Sequence, residues 1–184
     1  LGHDGLYLAY YPNTPFLAFF FQPLAALDPW LAKFTWNLLS CILFIVAWFR
    51  LSKFFQLSAR VIFLMPFLFF LCLRNNILFG QVYFFVFFCL SEGFLAYQKA
   101  QKGKAAFWWS WAIAIKVFPI LLLVFLGFKR DLKALLYLSM AIAACLILSL
   151  WSVDWSDWMF YFKEVLPKSS SGAYYDGFTA ASKS

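Results

Sequence analysis

A chain of 184 residues that is 65% hydrophobic and 24% aromatic, with 12% charged residues, has more apolar surface than a soluble domain of this size could bury. The same figures exclude disorder and a collagen-like repeat. The formal charge of +7 falls in short basic clusters between apolar runs and not along one polar face, which signals membrane topology and not nucleic acid. The reading is an all-α, polytopic transmembrane helical bundle whose first partner is the lipid bilayer. Cys41, Cys72, Cys89 and Cys145 lie inside apolar runs and read as packing residues, not as a disulfide framework. With His3 the lone histidine and no Cys/His cluster, no metal site and no cofactor is expected. The chain opens at Leu1 without a methionine and reads as an internal piece of a longer protein, with a membrane span missing ahead of it.

Residues 1–30 read as an external loop and interfacial helix. Tyr10-Tyr11-Pro12-Asn13-Thr14-Pro15 sets an extended or turning backbone, because each proline biases its predecessor away from helix. The run Phe16 to Leu27 is too short to cross a core that needs about 20 residues, so it should lie in the interface or dip into it. Asp28-Pro29 resets the chain. Residues 31–151 hold the spans, the first from Leu31 to Phe49. Arg50, Lys53 and Arg60 place the next connection on the cytoplasmic side. Val61 to Leu73 returns, with Pro66 tolerated where neighbours satisfy the carbonyl it frees. Ile77 to Tyr97 reads as a third span, followed by Lys99, Lys102 and Lys104.

Crossing once from Ala105 to Phe128 would put the basic cluster Lys129-Arg130-Asp131-Leu132-Lys133 on the outside, against the positive-inside rule. A re-entrant hairpin resolves the conflict: Ala105 to Ile115 enters, Lys116 sits at the turn beside Pro119, and Ile120 to Phe128 returns. Ala134 to Trp151 is an outward span. Residues 152–184 read as an external loop, opening on a Trp-rich acidic stretch and ending in loop from Ser169.

Lys116, set in an apolar run, is costly to insert and calls for an anionic partner, a lipid-linked phosphate being the obvious one. It could instead snorkel to the interface or pair with Glu92 of a neighbouring helix. Arg74-Asn75-Asn76 followed by Gly80-Gln81 offers a cation and amides at the mouth of a span. The i,i+4 spacing of Asn76 and Gly80 would put them on one helix face, although Asn and Gln also serve as interhelical hydrogen bonders. Tyr10-Tyr11 and Tyr174-Tyr175-Asp176 could stack on sugars or act as belt residues. Asp4, Asp28, Asp154, Asp157 and Asp176 fall on the outer side, where any could act as a general base.

Three elements together, Tyr11-Pro12-Asn13-Thr14-Pro15 leading to Gln22-Pro23-Leu24, then Asn76 through Val82 with Gly80-Gln81, then Ala112 through Pro119 with Lys116, resemble glycosyltransferase family 87. That family comprises GT-C type integral membrane enzymes, including bacterial polyprenyl-phosphomannose-dependent mannosyltransferases. Asn13 stands where the family has the second proline of Tyr-Pro-Pro, and Tyr83 where it has the Asn of Gly-Gln-x-Asn. The resemblance implies a hexosyltransferase in the cell membrane, multi-pass and of the bacterial inner membrane. It would move a sugar, mannose as the first assignment, with inversion from a polyprenyl-phosphate donor to a hydroxyl on a glycan or glycolipid acceptor at the outer face. Lys116 and Arg74 would hold the donor phosphate, and Asn76, Gln81, Tyr11 and Tyr175 would line the substrate site. The catalytic aspartate would precede Leu1, with Asp4 the nearest substitute. A polysaccharide polymerase or lipid-linked sugar translocase would call for much the same residues without an external aspartate, whereas a non-enzymatic scaffold would need none of them.

Overall fold

The computed structural model describes residues 13–167, and all regular secondary structure among them is helical. The first helix, α1, spans Phe16–Phe21 and runs into a 3-10 turn at Gln22–Leu24. Phe16 and Leu17 are fully buried, and the Phe16 ring lies 5.5 Å from Trp111, so this segment dips into the bundle. Its row of phenylalanines has no polar face to leave on a surface.

Helix α2, Pro29–Phe54, begins where the Asp28 carboxylate accepts from the Trp30 and Leu31 amides and Pro29 occupies the first turn. It is long and apolar enough to cross a membrane, as is α8, Leu132–Ser149. Between them in sequence, α3 (Ala59–Leu68) and α4 (Phe70–Phe79) form one path bent by 60° at Phe69. The bend has an identifiable cause. Pro66 has no N–H to give the Ile62 carbonyl, and the Trp48 indole donates to that carbonyl instead, at 3.1 Å.

Helix α4 stops at Gly80, whose φ of 61° is left-handed. The Gln81 amide reaches back to the Asn76 carbonyl at 2.9 Å and the Gly80 amide to that of Ile77 at 3.2 Å, the double bond of a Schellman ending. This corrects the expected span from Ile77 to Tyr97: the helix that follows, α5, covers only Tyr83–Gln98. It also corrects the expectation that Asn76 and Gly80 share a helical face, because Gly80 terminates the helix instead of belonging to it.

Helix α5 runs parallel to α2. Phe44 stacks on Phe84 at 4.6 Å, Arg50 pairs with Glu92 at 2.8 Å, and Phe54 meets Phe94 at 5.6 Å. Helix α6, Lys102–Ile115, returns along α5, with Trp109 5.4 Å from Tyr97 and Trp108 5.2 Å from Phe88. The chain then folds back through Lys116, a 3-10 turn at Phe118–Ile120 and α7, Leu121–Phe128. Leu126 of α7 is fully buried in a cluster with Trp109 and Ile113 of α6 and Leu138 of α8.

The fold-back closes at its base. Asp131 receives the Lys102 ammonium at 2.7 Å and the Tyr97 hydroxyl at 3.1 Å, and caps α8 by accepting from the Ala134 amide. The ends of α5 and α7 and the starts of α6 and α8 therefore share one level, rich in lysine and arginine. At the other level, Ser152 donates to Gln22 at 2.8 Å, and the buried Trp158 of α9 (Trp155–Phe160) donates to Ser149 at 2.9 Å. Trp30, Trp151 and Trp155 are exposed there, as interfacial tryptophans are. Exposed Phe63, Phe67, Leu68, Leu71 and Phe128 complete an outer surface suited to lipid and not to water. The chain is an all-α helical membrane protein.

Lys102, then the Ala134 amide, hold the Asp131 carboxyl below its ordinary range. A carboxyl depressed by folding adds stability above its unfolded pKa and loses it as pH falls through the folded value. Melting of the protein in detergent should therefore fall on acidification from about pH 5 to pH 3, and Asp131→Asn should lower the melting temperature at pH 7 while flattening that acid limb. An unchanged acid limb in the variant would assign it to other carboxylates.

Candidate functional site

The prolines that interrupt the helices organise the site. Helix α6 stops at Ile115, where Lys116 turns extended ahead of Pro119, so the carbonyls of Ala114 and Ile115 find no amide one turn further on. In place of the missing amide, the buried Thr14 hydroxyl lies 3.4 Å from the Ile115 carbonyl and also donates to that of Ala114. The Asn13-Thr14-Pro15 element is thus docked on the last turn of α6, immediately before Lys116. A hydroxyl donor in that place satisfies end-of-helix acceptors that would otherwise be orphaned.

Lys116 itself is half-buried, with an extended backbone, and its Nζ sits 5.0 Å from the centre of the Tyr83 ring. The ion pairs among the described residues are Arg50 with Glu92 and Lys102 with Asp131. The alternative of a Lys116–Glu92 pair is therefore corrected: Glu92, about two turns from the basic end of α5, is taken by Arg50. Among the described residues no carboxylate pairs with Lys116.

Tyr83 lines a cavity of about 620 Å³ between α2, the bent α3–α4 path and α5. Its apolar wall includes Phe44, Trp48, Met65, Phe69 and Phe87, while Asn75, Asn76 and Gln81 supply amides. Asn76 is 3% exposed, and neither its Nδ2 nor its Oδ1 has a hydrogen-bond partner. A buried amide left open on both atoms costs stability unless something else meets it. The Gln81 backbone is fixed, its carbonyl receiving the Trp36 indole at 3.4 Å, while the residue as a whole is exposed. Phe79 also borders a second cavity of about 320 Å³, on the far side of Gly80, with Lys33 and Trp36 in its wall.

The site residues read from the sequence thus divide. Asn76 and Gln81 meet at the larger cavity, and Lys116 reaches it through Tyr83. Arg74 is exposed on α4 and is not in the cavity wall. Tyr11, Tyr175, Asp4 and Asp176 lie outside the described residues. Asp28 serves as the α2 cap. Sequence reasoning missed Thr14 and Tyr83 as members of the site, and no local spacing signals the contact of Thr14 with Ala114, 100 residues away in the chain. Among the described residues no group of three or more His, Cys, Asp or Glu side chains comes together to hold a metal.

Compared with known protein families, the chain matches glycosyltransferase family 87 over residues 11–183, nearly its whole length. Neither curated proteins nor solved structures gave a match.

Proposed function

The chain belongs to glycosyltransferase family 87, and from that premise we propose that it is a GT-C type, multi-pass enzyme of the bacterial inner membrane that uses a polyprenyl-phosphate sugar as donor. A membrane glycosyltransferase needs a place for a greasy carrier and a place for the charge the carrier acquires. The observation that carries the reading is their adjacency: the Lys116 ammonium, without a carboxylate partner among the described residues, stands over the ring of Tyr83, which lines an apolar cavity edged with open amides.

In this reading the prenyl chain lies among Phe44, Trp48, Phe69 and Phe87, and the phosphate meets Lys116 with Gln81 and Asn76 near the sugar and phosphate oxygens. The basic level faces the cytoplasm by the positive-inside rule, so the α6–α7 fold-back is re-entrant and its tip points Lys116 toward the outer half of the membrane. The acceptor hydroxyl, on a glycan or glycolipid, attacks the anomeric carbon from the face opposite the phosphate. Its proton passes to a carboxylate base, expected upstream of the described residues. The bond from the anomeric carbon to the phosphate oxygen breaks and its electron pair leaves with the phosphate, inverting the centre. Lys116 stabilises that accumulating charge. Mannose is the first assignment for the sugar.

Asn76→Leu separates ligand binding from helix pairing. Removing an unpartnered buried amide should leave the melting temperature unchanged or higher. If the amide bonds the charged donor, the KM for polyprenyl-phosphate sugar should rise about tenfold or more, since hydrogen bonds to charged groups contribute about 1.5–3 kcal/mol. The assay is sugar transfer by the full-length protein in liposomes. A stable variant with the parent KM would remove Asn76 from the donor site.

A further inference from the structure

The Lys116 ammonium has an aromatic face beneath it where a buried cation ordinarily has a carboxylate. We propose that Tyr83 is the positioning residue of the site: its ring face holds the Lys116 ammonium at the mouth of the large cavity by a cation–π contact, leaving the charge unneutralised for an anionic ligand. The inference rests on the donor-phosphate reading above and adds to it how the cation is kept both fixed and available.

The geometry is specific. Nζ lies 5.0 Å from the ring centre, within the reach of about 6 Å at which such contacts act. Tyr83 opens α5 two residues after Gln81, and the Gln81 carbonyl is tied to Trp36. Lys116 is set from the other side, with its amide bonded to Ala112 at 3.0 Å and the two preceding carbonyls met by Thr14. Two rigid supports thus face each other across one cation–π contact. A carboxylate in the place of Tyr83 would hold the lysine more strongly but would cancel its charge, and an incoming phosphate would have to displace it. The ring attracts the cation through its quadrupole and carries no net charge to be displaced. A lysine stem without such a hold has four flexible bonds, whose ordering would fall on the ligand.

The test is binding of polyprenyl phosphate, together with donor KM and kcat, in the full-length protein in liposomes. Tyr83→Leu keeps the cavity wall apolar and removes the quadrupole. It should weaken polyprenyl phosphate binding and raise donor KM about 2- to 30-fold, with melting unchanged and with a smaller effect on kcat. Tyr83→Phe keeps the face and should recover most of the loss. In a Lys116→Met background Tyr83→Leu should have no further effect, because the contact is already gone. The proposal is overturned if Tyr83→Leu binds as the parent does, if Tyr83→Phe fails to recover binding, or if the two losses simply add. If Lys116→Met weakens binding while Tyr83→Leu does not, this inference alone falls; if Lys116→Met binds polyprenyl phosphate normally, the donor-phosphate reading falls with it.

Discussion

Lys116→Met should lower donor-dependent sugar transfer about 10²- to 10³-fold while the protein stays folded, because deleting one preorganised charge at a developing oxyanion has an effect of that size. Methionine keeps the length and apolar stem, and inserting it into an apolar run is easier than inserting lysine. The melting temperature should therefore hold or rise. Lys116→Arg should recover only part of the rate, since a planar fork does not put its charge where a compact ammonium does. The Tyr83 face would accept either cation, so partial recovery would report distance to the phosphate and not loss of the aromatic hold. Full activity in a well-folded Lys116→Met protein would falsify the donor-phosphate site and leave Lys116 a residue that merely reaches for the interface.

The largest expected loss of stability is at Gly93. A Cβ built there would lie 2.2 Å from Cδ1 and 2.3 Å from Nε1 of Trp109, far inside contact. The indole cannot step aside: it is 3% exposed, donates to the Leu90 carbonyl at 3.3 Å and lies against Tyr97. Helices α5 and α6 approach closely because Gly93 has no side chain, a use of small residues common where lipid supplies no drive to pack. Gly93→Ala should destabilise by about 3 kcal/mol, the upper part of the range for overpacking. Trp109→Leu costs stability on its own account but empties the space the methyl needs. The double variant should then be more stable than the sum of the single losses predicts. Additive losses, read from detergent melts, would place the strain elsewhere.

Long apolar runs and basic clusters are signals read locally, and they placed α2, α8 and the turn at Lys116 close to where the structure has them. The fold-back was legible because a single crossing would have put Lys129, Arg130 and Lys133 at the wrong level, and the Lys102–Asp131 pair brings that cluster beside the start of α6. Gly80 was misread for a physical reason. A glycine four residues after Asn76 fits both a helix face and a helix stop, and only the backbone φ of 61° decides between them. The partner of Glu92 was equally hidden: both Arg50 and Lys116 are cations within reach of some packing of the same helices, and the parallel course of α2 and α5 selects Arg50. At the site, residue type pointed to Asn76, Gln81 and Lys116, but the cavity that Asn76 and Gln81 line lies against the bend at Phe69, which no spacing announces. Thr14 lies 100 residues from Ala114 in the chain, so nothing local linked them.

The closed base of the α6–α7 fold-back bears on biosynthesis. Both of its ends meet at the basic level, joined by the Lys102–Asp131 pair. Its hydrophobic partners are α5, which is synthesised just before it, and α8, which emerges after it. The packing around Leu126 and Ile113 is therefore complete only with α8 in place, and Thr14, from the other end of the chain, adds its bond to the Ala114 carbonyl. A chain stalled before α8 would lack the cover over Leu126, and its fold-back would hold Lys116 less firmly than the complete molecule does.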